Sequence, residues 1–247
     1  MKALVTGAAA GLGSALTNSL VSDGGSVVAI DRDALSGGEK IAPLVADLSD
    51  RASVDALLPR IVAAGPYDFV VHNAGISATG PFEQIPEEAY RRLLTLNAET
   101  PMVMTAALLR AGSLARGAHL VFISSLSHAT GYPGGAVYAA SKDALAVYAK
   151  SIRAEMRRRG IHVMTVFPGP LRTGHAERHA PPGARAERRM EPPELARRII
   201  RAAHRRRRVL YPGPQARIGR VAGFLAPGLT TRFMRRNIFE KLDRTVY

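Results

Sequence analysis

The amino-acid sequence predicts a single-domain α/β protein built on a doubly wound parallel sheet of about seven strands. Three observations carry this. Short apolar runs alternate with helix-length stretches over the first two-thirds of the chain. A glycine-rich turn joins the first run to the first helix. The 247 residues, 47% hydrophobic and 22% charged, suit one large domain with a sizeable core and exclude disorder, collagen or a coiled coil.

The elements follow in order. Buried parallel strands are expected at Ala3–Val5, Ser26–Ile30, Leu44–Ala46, Phe69–Val71, His119–Ile123 and His162–Phe167, because each is a short apolar run of strand length. Helices are expected at Leu12–Ser22, Ser53–Ala63, Glu87–Thr95, Thr100–Leu109 and Val137–Arg157. Strands separated by helices of this length read as right-handed βαβ units, with helices on both faces of the sheet. Val209–Pro212 supplies a last strand. Residues 1–213 then form the main unit, and 214–247 a basic, partly amphipathic helical extension. Gly174–Pro193 is polar, carries four prolines and follows a strand, which makes it a loop over the crevice of an open sheet, mobile until ligand orders it.

Cysteine is absent, so disulfides, thiolate metal sites and cysteine nucleophiles are excluded. No apolar run approaches the roughly 18 residues of a membrane helix. The first strand begins at once, leaving no leader before it, and a cytoplasmic protein is expected. Charge is uneven. Residues 1–150 hold 11 Lys/Arg and 13 Asp/Glu, a net of −2, whereas 151–247 hold 23 and 7, a net of +16. A solvated face is the plain reading, since Arg outnumbers Lys 29 to 5. In the extension, Ile218, Val221, Phe224 and Leu225 are spaced as on a helix, then Pro227-Gly228 breaks it. Met234, Ile238, Leu242 and Val246 follow at intervals of four, with Arg232, Arg235, Arg236 and Lys241 among them. Three placements stay open: against the same domain, against a second subunit, or weakly on an anionic membrane surface.

The first turn reads Thr6-Gly7-Ala8-Ala9-Ala10-Gly11-Leu12-Gly13. Glycines let a backbone turn tightly and approach a pyrophosphate, which the N–H groups and positive end of the following helix then hold. A tight turn alone would also want glycine, but strand before and helix after favour a nucleotide site. The second strand ends at Asp31, and a carboxylate ~20 residues past such a turn accepts hydrogen bonds from ribose hydroxyls and repels a 2′-phosphate. Asp31 therefore argues for NAD over NADP, and the adjacent Arg32 softens the preference.

These residues resemble the short-chain dehydrogenase/reductase family. Thr6–Gly13 is similar to its cofactor turn, with Gly7, Ala10, Gly11, Leu12 and Gly13 at the contact positions. Asp47, with Leu48 beside it, matches the aspartate at the adenine. Asn73-Ala74-Gly75 resembles the motif that supports the central sheet. Asn97, Ser125, Tyr138 and Lys142 match the catalytic tetrad, and Pro168, Gly169 and Thr173 the segment beside the nicotinamide. The resemblance runs in order from residue 2 to about 173. It implies a Rossmann-like fold, a nicotinamide cofactor, a small-molecule alcohol or carbonyl substrate, and a homodimer or homotetramer packed through Thr100–Leu109 and Val137–Arg157. His72 departs from the pattern, standing where asparagine is common. Ala10 and Ser14 are neutral where NADP-using members often carry a basic residue. The chain end lacks the glycine-rich motif of the fatty-acid ketoreductase branch and is more similar to members that act on hydrophobic substrates.

Tyr138 and Lys142 lie four apart and so share a helix face. A tyrosine pKa of about 10 is too high for an efficient base at neutral pH, and a nearby ammonium lowers it. Ser125, at a strand end, can hydrogen-bond a substrate oxygen and stabilise charge developing there. The adjacent Ser124 points the opposite way by strand alternation. The resemblance implies that Lys142 also holds the nicotinamide ribose and that Asn97 holds a water completing a proton path. Singly, each is an ordinary packing or surface residue; together they imply an NAD(P)-dependent oxidoreductase. Two other functions were weighed. A regulatory or scaffold protein that binds NAD without turnover has no need of Tyr138 and Lys142 together. A nucleic-acid binder would show a recognition motif beside its arginines, and none accompanies them. His175 and His179 are four apart, but no third metal ligand is near in sequence, and no metal is expected.

Overall fold

The computed structural model describes every residue except Arg185 and Asp243, and the side chain of Arg188. Seven parallel strands form one sheet in the order β3-β2-β1-β4-β5-β6-β7. They are β1 (Lys2–Thr6), β2 (Ser26–Asp31), β3 (Ile41–Val45), β4 (Tyr67–His72), β5 (Leu114–Ile123), β6 (His162–Val166) and β7 (Val209–Leu210). The order reverses between β1 and β4, and a ligand crevice opens at the carboxyl ends of the strands beside such a point. Helices α1 (Gly11–Ser22), α2 (Arg51–Ala63), α3 (Glu87–Leu94), α4 (Thr100–Arg110), α5 (Ser127–Thr130) and α6 (Ala136–Arg158) follow in chain order. After them come α7 (Gly174–Arg178), α8 (Pro192–His204), α9 (Gly213–Leu225) and α10 (Pro227–Asn237).

Side chains alternate across the sheet, as a period of two requires. Ala3, Val5, Phe69, Val71, Val121 and Ile123 face α1 and α8, against Leu12, Leu16, Leu195 and Ile199. Leu4, Val28, Val70, Leu120 and Phe122 face the other way, against Val54 and Ile61 of α2, Met104 and Leu108 of α4, and Leu145 of α6. Both faces are dry, which explains why the central strands read as continuous apolar runs.

Several elements differ from expectation. Strand β3 begins three residues before the expected Leu44. It is the exposed edge strand and carries Pro43, a residue tolerated at an edge because its missing N–H leaves no central ladder broken. Helix α8 was not anticipated. Leu195, Ala196, Ile199, Ile200 and Ala203 are buried along one face of it, and Pro192 opens it with a φ suited to a first turn. Arg206, at φ 52°, closes it. The Arg206 and Arg207 amides donate to the carbonyls of Ala203 and Ala202, where glycine is usual. The Arg205–Arg208 run is thus partly a helix terminus whose cations favour the negative end of the dipole.

Met234, Ile238, Leu242 and Val246 do not share one helix. Helix α10 ends at Asn237, a single 3₁₀ turn spans Phe239–Lys241, and Val246 lies in an antiparallel bridge to Thr79. The Arg235–Glu240 ion pair at 3.1 Å and paired backbone bonds of 2.8 Å between Val246 and Thr79 stabilise that course. The segment 174–193 is not one open loop. It holds α7, a 3₁₀ turn at Ala186–Arg188, a parallel bridge from Leu171 to Met190, and the Arg172–Glu191 ion pair at 2.7 Å. Among the described residues, no helix is long and apolar enough to cross a membrane.

Candidate active site

A cleft of about 1080 Å³ lies at the carboxyl ends of the strands. The β1–α1 turn forms its floor. Gly7 has φ 68°, and a Cβ there would meet Ala74 Cα and Asn73 Nδ2 at 2.9 Å. A Cβ on Gly13 would fall 1.7 Å from the Gly7 carbonyl oxygen, so only glycine lets α1 start this close to the turn. Asn73 clamps the turn from β4: its Nδ2 donates to the carbonyls of Thr6 at 2.9 Å and Gly7 at 3.2 Å. The Asn73 and Ala74 amides donate to Thr6 Oγ1, both at 3.0 Å. Ala10 stands at the N-cap of α1 with no side-chain cap and no acid in the first turn. Gly11 and Leu12 therefore bring a helix N-terminus without a protein anion to the cleft wall, a cradle that fits a pyrophosphate.

Asp31 lines the cleft and accepts from the amides of Ala9 at 2.8 Å and Asp33 at 3.1 Å. Arg32 lines it too, exposed, 3.6 Å from Asp33. Asp47 accepts from the Ser49 amide at 2.8 Å and hydroxyl at 2.7 Å. Burial pushes the Asp47 carboxyl up, but the Ser49 bonds, with Arg92 and Arg32, outweigh this and hold it below its ordinary value. Leu48 is buried, and its carbonyl accepts from Thr100 Oγ1 at 2.8 Å.

Asn97 sits in a π-helical turn, Thr95–Glu99, between α3 and α4; single π-turns of this kind are frequent at functional sites. Its amide group makes three hydrogen bonds, leaving one lone pair of Oδ1. Nδ2 donates to the Ile76 carbonyl and to Ser141 Oγ, both at 2.9 Å, and Oδ1 accepts from the Ile76 amide at 3.0 Å. Gly75 fits between Asn97 and Lys142, since a Cβ there would lie 2.9 Å from Lys142 Nζ and 3.1 Å from Asn97 Oδ1. Lys142 is buried, donates to the Ile123 carbonyl at 3.0 Å, and is pushed down to about 8 by loss of solvation. Ser124 spends its hydroxyl on the Lys142 carbonyl at 3.0 Å. Ser125 faces the cleft, and its Oγ accepts from the Ser127 amide at 3.2 Å.

The Tyr138 hydroxyl differs from expectation. Burial holds its pKa above the ordinary value, and Ser125 pulls it down; Lys142 is not among the causes. In the chain alone, solvent exclusion outweighs the Ser125 hydrogen bond. Tyr132 packs edge-on to Tyr138, ring centroids 6.0 Å apart. Pro168 accepts from the Leu126 amide at 2.9 Å, Gly169 lines the cleft, and Thr173 Oγ1 caps α7 through the Ala176 amide at 3.2 Å.

The far wall comes from the two segments expected over the crevice, 174–193 and the tail, but its individual residues were not singled out by the sequence. His175 and His179, weighed only as a metal pair, lie one turn apart with rings 4.8 Å from each other, and both line the cleft. Burial is the main cause pushing each down to about 4. His179 Nδ1 meets Thr79 Oγ1 at 3.1 Å. No third His, Cys, Asp or Glu joins them in a metal-holding group among the described residues. Arg189, Gln215, Met234, Ile238 and Lys241 complete this wall. They come from segments brought together only by the fold, and no local pattern marks them.

A family model described as short chain dehydrogenase matches residues 1–182. The chain belongs to the short-chain dehydrogenase family. An uncharacterized oxidoreductase of Myxococcus xanthus is 34% identical over 68% of this chain and 70% of its own length. The 3-oxoacyl-[acyl-carrier-protein] reductase of Haemophilus influenzae is 31% identical over 71% of this chain and 76% of its own. A short-chain dehydrogenase of Burkholderia cenocepacia, solved with NADP, superposes with a TM-score of 0.80 at 23% identity, covering 94% of this chain and 96% of that one. This short-chain dehydrogenase thus has the Rossmann-like fold of an oxidoreductase family that acts on CH–OH groups with NAD(P). The family model ends before Arg189, Met234 and Ile238, which lie outside the residues it matches.

Proposed function

We propose that the protein interconverts a secondary alcohol and a ketone or aldehyde on a substrate with an apolar body, using NAD ahead of NADP. One observation carries the reading: the hydroxyls of Ser125 and Tyr138 face each other at the wall of one cleft, with buried Lys142 one helical turn from Tyr138. Tyr138 takes the alcohol proton in oxidation and returns it in reduction. Ser125 donates a hydrogen bond to the substrate oxygen and stabilises its developing charge. Lys142 holds the ribose next to the nicotinamide and favours the phenolate once the site is filled. Asn97, pinned to Ile76 and Ser141, acts by position, holding a water between Lys142 and solvent.

The cofactor supplies the hydride acceptor or donor when bound. Gly7, Ala10, Gly11, Leu12 and Gly13 would hold its pyrophosphate, Asp31 and Arg32 its adenosine ribose, and Asp47 and Leu48 its adenine. Asn73, Ala74 and Gly75, with Pro168, Gly169 and Thr173, would flank the nicotinamide end. Residues 1–213 are read as the catalytic unit, with a substrate loop at 174–193, and 214–247 as an extension walling the cleft. A homodimer or homotetramer through α4 and α6, in the cytoplasm, completes the reading.

The test is NAD(P)H absorbance over a panel of secondary alcohols and ketones. Tyr138→Phe should lower kcat at least ~100-fold while NADH fluorescence still titrates. Turnover within tenfold of the parent overturns the assignment. NAD should exceed NADP by at least tenfold in kcat/KM, because a carboxylate at Asp31 would repel a 2′-phosphate. A second reading has its own observation: Arg32 also lines the cleft, and the Burkholderia relative was solved with NADP. Equal or better activity with NADP, lost in Arg32→Ala, selects that reading.

A further inference from the structure

Helix α9 is built inside out. The face it turns to the domain is small: a Cβ on Gly223 would fall 1.8 Å from the Ala129 carbonyl oxygen, and one on Gly219 3.2 Å from Leu126. Its large apolar side chains point away. Ile218 is 67% exposed, Phe224 84% and Leu225 73%. Helix α10 continues the ridge with Leu229, 72% exposed, and Phe233. Met234, off that ridge on α10, and Ile238, just past its end, line the cleft. One layer of helix therefore separates the exposed ridge from the candidate active site.

Soluble monomers rarely leave so large an apolar patch open, and such a patch marks a partner. Charge says which kind. Residues 213–237 contain five arginines, Arg217, Arg220, Arg232, Arg235 and Arg236, and no Asp, Glu or Lys. Arg220 lies over the Tyr211 ring at 5.0 Å and Arg235 pairs with Glu240; no acid pairs with Arg217, Arg232 or Arg236 among the described residues. A second copy docked ridge to ridge would set arginine against arginine, which opposes self-association. An anionic lipid surface meets both features at once. It takes apolar side chains below the headgroups and cations among them, with no hydrophobic span required.

We propose that α9 and α10 form a docking face for anionic lipid bilayers, seating the cleft mouth beside the membrane. The face is independent of the reaction assigned to the cleft, though it would suit a lipid-soluble substrate. The test is co-sedimentation of the full chain with sucrose-loaded vesicles, either phosphatidylglycerol mixed with phosphatidylcholine or phosphatidylcholine alone. Protein should pellet with the mixed vesicles at low salt, at least tenfold less with phosphatidylcholine alone, and return to the supernatant at high salt. The triple variant Phe224→Ser, Leu225→Ser, Leu229→Ser keeps every charge and changes only exposed positions. It should lose at least tenfold in bound fraction while keeping the parent's circular dichroism and oxidoreductase rate on soluble substrates.

Unchanged pelleting of that variant would mean non-specific attraction to a basic protein and would overturn the proposal. Parent protein left in the supernatant at low salt would overturn it too. So would sedimentation velocity showing a dimer that the triple variant dissolves, since the ridge would then be a subunit interface.

Discussion

His72 is buried at the end of β4, its Nε2 2.9 Å from Thr105 Oγ1 and its ring stacked 5.0 Å from Phe122. Burial depresses its pKa to about 3 from an ordinary 6.5. The unfolded chain therefore takes up a proton first as pH falls. The stabilisation held by neutral His72 is complete above about 6.5 and lost progressively towards 3. His119, His175 and His179, each pushed down to about 4 by burial first, act in the same direction. The thermal midpoint should fall steeply between pH 6.5 and 4. His72→Gln, whose amide can reach the place of Nε2 beside Thr105, should flatten that slope in calorimetry, and an unchanged slope would remove His72 from the account. At this scale the sequence was informative where chemistry needs a residue type at a fixed spacing: Ser125, Tyr138 and Lys142 all reach one cleft. It was blind to solvation, which reversed the expected direction for Tyr138, and to Ser141, whose hydroxyl is aligned with Asn97 only by the packing of α6 on the π-turn.

Among the elements, strands whose neighbours cover both faces were readable as apolar runs. Strand β3, at an edge with mixed patterning, was not, and α8 was passed over although Leu195, Ala196, Ile199, Ile200 and Ala203 fall at helical spacing, because two prolines open it. The tail failed for a different reason, because a spacing of four cannot tell a helix from a chain that turns after one. Its seat gives a prediction. Gly223→Ala puts a methyl into the Ala129 carbonyl, so α9 must lift from α5 and take α10 with it. Trypsin should then cleave at the tail arginines at least tenfold faster, while hydrogen exchange in β1, β4 and β5 stays slow. Cleavage at the parental rate would show that α9 is held by Tyr211, stacked 4.8 Å from Phe167 under Arg220, and not by its glycine face.

Across the whole molecule, the cleft has one wall fixed by the sheet and one assembled from 174–193 and the tail. The second wall is tied down at few points. The Arg172 amide donates to Met190, the Glu177 amide to Thr173, and His179 meets Thr79. Between those ties, residues 180–184 have little to bury, so their ordering needs outside contacts. Their amides should exchange quickly in the free protein and at least tenfold more slowly with NAD and a bound alcohol. Strong protection throughout the segment without ligand would rule out closure over the substrate.

The bridge between Thr79 and Val246 bears on how the protein is made. The glycine turn, Asp31, Asn73 and Tyr138 all lie within the first 138 residues, and the sheet up to β6 is complete by Val166. The last 3₁₀ turn and the residues after it reach back to two earlier segments: Leu242 packs at Gly134, just before α6, and Thr245 Oγ1 donates to Gln84, after β4, at 3.1 Å. A chain emerging from the ribosome therefore carries the strands up to β6 some eighty residues before Val246 exists, but one face of that sheet stays partly bare until Leu195 and Ile199 of α8 arrive, and the domain folds as a unit. Until Val246 arrives, the crevice is a trough open along one flank, and the protein completes its container last.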